Sequence, residues 1–179
     1  MAISKVCFPK YNPTAIVLTD GDPKAISLLK SNLENPNNQV NTSIVKATHL
    51  LWDATNDGSL RFADFSEWFR ATYNASASEY TTPLFDSIFA GDVLYKEELP
   101  KLFFATAFAL LSKKADSSLW LCHIPRHGVL HSIVVDAAKS AGFVVTTIDT
   151  KLNSKVEGFP LDDLQRAITY RMYIDRAKL

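Results

Sequence analysis

Short, β-rich apolar runs alternate along this chain with stretches of helical spacing, and that alternation constrains the fold more than any other feature. The first run, AIVLT at 15–19, ends in Asp20-Gly21-Asp22-Pro23. Asp22 suits a helix N-cap and Pro23 the first helical position, so a helix is predicted over 23–34, with Ile26, Leu29 and Leu33 at helical spacing. Asn35-Pro36-Asn37-Asn38 stops it. Further strands are predicted over 43–47, 85–89, 118–124 and 143–149. Helices over 97–111 and 129–141 separate the later ones; Pro100 falls in a first turn, and Gly142 suits the position just past a helix end. The stretch 54–83 is largely polar, with a short aromatic helix over 62–73 and a loop or lid over 74–82. The last strand is predicted over 169–174.

Strands in this order, separated by helices, imply a mostly parallel sheet covered on both faces. The predicted fold is α/β and Rossmann-like, as a single domain over 1–179. Ligands on such sheets bind beyond the C-terminal ends of the strands, which selects where to look for chemistry.

Asp20 closes the first strand, where a carboxylate can accept from both ribose hydroxyls of a nucleotide cofactor. The alternative is that Asp20 or Asp22 only caps the next helix. Trp52 and Asp53 follow the second strand; the indole can face an adenine and the carboxylate can accept from its exocyclic amine. Equally, Trp52 can be a core aromatic and Asp53 the start of a turn. Asp92 and Tyr95 follow the strand at 85–89, with Glu97 and Glu98 close behind. A carboxylate and a phenol three residues apart can line one rim of a cleft and hold a cationic lysine. The competing reading has Asp92 capping a helix and Tyr95 packing.

His123, His127 and His131 are spaced by four, but Pro125 and Gly128 break any helix that would align them, so no zinc site is expected. Arg126, in a loop after a strand, can meet an acidic partner or substrate, or simply face solvent. Phe62, Phe65, Trp68 and Phe69 fall at helical spacing and read as core.

Composition sets the remaining bounds. The 179 residues carry a formal net charge of +0, which argues against a basic nucleic-acid surface. Cys7 and Cys122 stand far apart in unlike contexts and read as reduced thiols. Residues 1–13 have no apolar run of useful length, and nothing later is long enough to span a bilayer. The expectation is a soluble protein of the cytosol or nucleus, with no membrane or nucleic-acid partner.

Taken in order, these pieces resemble one family. IVLTDGDPKAISLLKSNLE is similar to the second-strand segment of class I, seven-strand methyltransferases of the lysine-modifying group. LLW with Asp53 resembles that group's adenine-side motif, and FDSIFAGDVLYKEEL its fourth strand with the D-x-x-Y signature. IPRHGVLHSIVVDAAKSAGF is similar to the fifth strand and following helix of calmodulin-lysine N-methyltransferases, and elongation factor 2-lysine methyltransferases are a close competitor. The resemblance covers roughly 14–150 and is weakest over 54–83 and in the tail.

It implies S-adenosylmethionine as cofactor and methyl transfer to a lysine of a protein substrate, calmodulin or a translation factor. By the same resemblance Asp20 would hold the ribose, Trp52 and Asp53 would contact adenine, and Asp92 with Tyr95 would lie between cofactor and substrate lysine.

One departure matters. The family's first strand and glycine-rich loop precede the TDG segment, yet residues 1–14 contain no glycine, and MAISKV resembles the end of the first helix. In the family that strand is central, between those at 15–19 and 85–89, so both are expected to lack a partner and the isolated chain to be poorly stable. Three readings therefore compete: a shortened active methyltransferase, an interaction module that kept the fold and lost the cofactor loop, and a nicotinamide-dependent enzyme, which D-x-x-Y does not suit.

Overall fold

A computed structural model describes residues 13–52, 62–73, 84–148, 161–175 and 177. The chain groups into two compact units, one from 1–51 with 59–82 and the other from 52–58 with 83–179.

In the first unit, strand β1 (Ile16–Asp20) and strand β2 (Val45–His49) pair in parallel, from Ile16 opposite Val45 to Asp20 opposite His49. Helix α1 (Pro23–Glu34) joins them and starts as its sequence demands: the Asp22 carboxylate accepts from the Lys24 N–H at 2.8 Å, with Pro23 in the first turn. Its end is equally local, since the Asn35 side chain accepts from Asn37 N–H at 3.0 Å to lead a 3₁₀ turn over Pro36–Asn38. Leu33, Val45 and Ala47 form the buried centre, flanked by Ile16, Leu18 and Leu29.

β2 begins two residues later than the sequence suggests. Asn41 accepts from both the Ser43 N–H (3.1 Å) and its hydroxyl (2.6 Å), while the Ile44 and Val45 N–H groups donate to the Asn41 carbonyl, so a turn occupies the expected strand start. Helix α2 (Ala63–Tyr73) buries Phe65 and Ser66. Its last residue, Tyr73, shares its hydroxyl proton between the Ile16 and Ile44 carbonyls, each at 3.0 Å, tying α2 to the starts of β1 and β2.

The second unit is a four-stranded sheet in the order β3-β4-β6-β5, formed by β3 (Ser87–Gly91), β4 (Ser118–His123), β5 (Phe143–Ile148) and β6 (Ile168–Ile174). β3 and β4 are parallel, whereas β6 runs antiparallel to both β4 and β5. β3, β4 and β5 therefore all run the same way, as expected, and β6 alone is reversed. Along β6, Tyr170, Met172 and Ile174 are buried while Arg171 and Tyr173 are exposed, the period of two of a strand with one face on the core. β3 is also displaced by two residues, because Phe85 bridges to Leu111 before the ladder with β4 opens at Ser87 opposite Ser118.

Helix α3 (Leu99–Leu110) and helix α4 (His131–Ser140) supply Phe103, Phe104, Ala107, Val134 and Ala138 to one core with Leu119, Leu121, Phe143, Tyr170 and Met172. Gly142, at φ +97°, turns the chain out of α4 as expected; a Cβ there would meet Phe108 at 3.0 Å. Helix α5 (Leu161–Arg166), immediately before β6, was not expected from the sequence. On the opposite side of the sheet Phe89, Trp120, Arg171 and Thr146 lie in one register row, with the Arg171 guanidinium over the Trp120 ring at 5.2 Å.

β1 and β3 are the two strands the family resemblance leaves short of a neighbour, and each pairs along one edge only among the described residues. Among those residues no helix is long and apolar enough to cross a membrane.

Phe104 is 0% exposed at the centre of the larger core. Its replacement by alanine should cost about 3–5 kcal/mol, a large part of the roughly 5–15 kcal/mol that holds a domain together. Urea unfolding should show this as a lower midpoint at unchanged slope. A midpoint within error of wild type would mean that this core is not the stabilising one.

Candidate active site

Chemistry-bearing side chains of the second unit gather where β3 and β4 end. Asp92 follows β3 directly, donates its N–H to the Cys122 carbonyl at 2.9 Å, and has φ +52°. Asp is one of the few residues other than glycine that tolerates this left-handed geometry. Leu94, two residues on, is driven into the core, while Tyr95 stays 49% exposed. Tyr95, Lys96, Glu97, Glu98 and His127 line an open depression of about 490 Å³.

After β4 the chain folds into a tight turn, Arg126-His127-Gly128-Val129, closed by the Val129 N–H on the Arg126 carbonyl at 2.9 Å. His127 and Gly128 are both left-handed, at φ 47° and 84°, and a Cβ at Gly128 would approach Glu97 Oε1 to 3.1 Å. This turn presents Arg126. Its Nε donates to Asp92 Oδ1 at 3.1 Å, and its Nη2 reaches Asp92 Oδ2 at 2.9 Å, so the fork grips both oxygens of one carboxylate. The same Nη2 lies 3.3 Å from Asp163 Oδ2 on α5, and the other oxygen of Asp163 accepts from Arg166 Nη2. Four alternating charges thus run from Asp92 through Arg126 and Asp163 to Arg166. The alternative of a simply solvent-facing Arg126 does not hold; it meets two acids.

Beneath this chain of charges two histidines meet. His123 and His131 stand edge to face, ring centroids 5.2 Å apart, while His127 is exposed on the turn. The spacing read as accidental in the sequence does bring two of the three together. Among the described residues, no group of three or more His, Cys, Asp or Glu side chains is placed to hold a metal. His131 Nε2 must donate to the Arg166 carbonyl at 3.0 Å, which leaves Nδ1 to accept from the Tyr170 hydroxyl at 2.9 Å. Burial pushes the Tyr170 phenol up, consistent with its role as donor. His123 is fully buried; its Nε2 donates to the Val129 carbonyl at 3.0 Å, and its Nδ1 has no hydrogen-bond partner among the described residues.

The remaining candidates are placed as follows. Asp20, in the first unit, is exposed at the C-terminal end of β1, and one of its oxygens accepts from the Asp22 N–H at 2.8 Å. The loop behind it is pinned by His49 Nε2 on the Gly21 carbonyl at 3.0 Å. Trp52, in the second unit, is half-buried and meets Phe103 edge to face at 5.0 Å. Asp53 lies outside the described residues. Sequence reasoning missed Asp163, Arg166 and Tyr170, which come from the far end of the chain. The only local signal was the pair of acids, Asp162 and Asp163, in the first turn of an unforeseen helix.

No protein-family model matches the sequence, and no curated protein matches it either. The structure is similar to that of a precorrin-6y C5,15-methyltransferase from Geobacter metallireducens GS-15, with a TM-score of 0.51. The likeness is one of fold, a sheet flanked by helices. The match covers 89% of this chain and 66% of that one, so the chain spans just under two thirds of its neighbour's length. At 12% identity the likeness shows a Rossmann-like α/β arrangement and nothing about substrate.

His123 generates a pH prediction. Burial pushes its imidazole below the usual value, with His131 adding to the effect, against upward pulls from the Val129 carbonyl and Asp92. The unfolded chain therefore takes a proton at a higher pH than the folded one, and stability should fall as pH drops below about 6.5. Urea midpoints should be flat above about pH 7.5 and decline toward about pH 5, and His123→Gln should make that decline shallower. Identical slopes for variant and wild type would remove His123 as the cause.

Proposed function

We propose that this chain is an S-adenosylmethionine-dependent methyltransferase that modifies a lysine side chain of a protein. The observation that carries the proposal is the likeness of its fold to a methyltransferase. The lysine follows from the resemblance of Asp92-Val93-Leu94-Tyr95 to the D-x-x-Y signature, and it is supported by a carboxylate and a phenol exposed at a strand end.

S-adenosylmethionine, when bound, supplies an electrophilic sulfonium methyl. Asp20 and Trp52, each within its own unit, keep a group that would suit it. Asp20 is an exposed carboxylate with only one oxygen engaged by its own loop, which leaves acceptor capacity for ribose hydroxyls. Trp52 is only half-buried and retains accessible ring for adenine, with Asp53 as the partner the resemblance assigns.

Only an uncharged amine attacks a methyl carbon. Free lysine has a pKa of about 10.4, so about one amine in a few thousand is neutral at pH 7. A bare carboxylate would hold the charged form, whereas desolvation favours the neutral one. Asp92 is therefore assigned an orienting role: it accepts a hydrogen bond from the amine, and the proton goes to water. Tyr95 shapes the rim. Alignment supplies most of the acceleration. By resemblance the substrate is calmodulin, with elongation factor 2 as the competitor, and the proposed location is the cytosol or nucleus.

The purified protein should transfer labelled methyl from S-adenosylmethionine to one of these two proteins. Asp92→Asn should reduce that transfer by roughly ten- to a hundredfold, the cost of a misplaced nucleophile. Asp20→Ala should weaken cofactor binding by roughly tenfold or more in a calorimetric titration, as loss of a charged acceptor does. A wild-type protein that neither binds the cofactor nor transfers methyl would sink the proposal.

A further inference from the structure

The Arg126 guanidinium sits on both oxygens of Asp92, the carboxylate assigned to the substrate amine. The carboxylate proposed to meet the substrate amine is thus already paired with a cation of its own chain. Arg126 also has a second acid in reach, since its Nη2 lies 2.9 Å from Asp92 and 3.3 Å from Asp163. Asp163 is the more covered of the two acids, with 16% of its side chain exposed against 38% for Asp92.

We propose that Arg126 determines what the site admits: it occupies the seat of a primary alkylammonium on Asp92 and yields that seat by leaning onto Asp163. This inference rests on the reading of Asp92 as the amine-facing acid. The pair of Asp92 and Arg126 is solvent-screened, with 38% of each side chain exposed, and the fork adds a second hydrogen bond to it. A substrate must replace both bonds. A short primary ammonium on a flexible stem has three donors and can do so, whereas sodium, which donates no hydrogen bond, gains less from the exchange. The turn that carries Arg126 is fixed by Gly128 and the Val129 hydrogen bond, so the side chain rather than the backbone makes the shift. Arg166 holds the opposite oxygen of Asp163 and keeps that acid in place to receive it.

The probe is n-butylammonium chloride, titrated into the full chain at constant ionic strength with sodium chloride as control. The readout is the backbone amide resonances of Gly91, Asp92 and Cys122. Arg126→Gln should bind the ammonium roughly three- to tenfold more tightly than wild type, the scale of one partly exposed forked pair removed. Asp163→Asn, which takes away the alternative seat, should bind it more weakly than wild type. Adding Asp92→Asn to Arg126→Gln should abolish the gain. Equal affinity in wild type and Arg126→Gln, or a gain that survives Asp92→Asn, overturns the proposal. Thermal melts identify a variant that fails to fold; Arg126→Lys then takes its place and, as a weaker non-forked cation, should give an intermediate affinity, with wild-type affinity counting against the idea. Butylammonium binding does not require S-adenosylmethionine, so failure of methyl transfer with intact competition would fault the methyltransferase reading and spare this one.

Discussion

β6 lies between β4 and β5 and bonds to both, running against each of them. Because it is reversed, its first residues fall beside the last residues of β4: Ile168 pairs with His123 and Thr169 with Cys122. Whatever precedes β6 is therefore delivered to the C-terminal ends of β3 and β4, the end where sheets of this kind bind ligands. That is how α5 brings Asp163 and Arg166 to Arg126, and how Tyr170 comes under His131. A parallel last strand would have sent the same residues to the other end of the sheet. The alternation of β6 follows from the same position: its buried side chains complete the core under α3 and α4, and Arg171 turns outward over Trp120.

The charges assembled this way are balanced. Asp92, Arg126, Asp163 and Arg166 alternate in sign, and each inner member touches two of the opposite kind. None is deeply buried, so the network contributes modestly to stability, on the order of 1 kcal/mol per pair. Its effect on binding is larger in kind than in size. A carboxylate already paired with a guanidinium carries little net field, so an incoming cation gains from it only by displacing that partner. Next to these charges the ring nitrogens of His123 and His131 are fixed by the Val129 and Arg166 carbonyls, and burial pushes the His123 imidazole below its usual value.

Local rules made much of the fold legible. α1 was readable to the residue because Asp22, Pro23 and Asn35 each act on their own neighbours. The strand-end positions of Asp20 and Asp92 were readable because apolar runs stop abruptly before them. The two-residue displacements of β2 and β3 were not, since an Asn41 turn in one case and a bridge to Leu111 in the other decide where the ladder starts. The reversal of β6 was hidden for a different reason: an order of strands and helices carries no sign. For Arg126 the sequence left an acidic partner and plain exposure equally open, because Asp163 is 37 residues away in the chain and nothing short-range links them. The meeting of His123 and His131 was dismissed by assuming that one helix had to carry both, when a strand end and a helix start carry one each.

Asp92 answers two demands at once, and this separates its chemistry from its geometry. The chain must turn left-handed after Gly91, at φ +52°, so that the Asp92 N–H can still reach the Cys122 carbonyl. Glycine, asparagine and aspartate tolerate that conformation, whereas alanine there is strained by roughly 1–2 kcal/mol. Only aspartate, of these, also brings a carboxylate to Arg126. Residues that break a local rule in order to hold a charge in place are where function is expected to sit. Asparagine at this position keeps the turn and much of the shape while removing the charge. It therefore tests the carboxylate itself, where alanine would test the strand end as well.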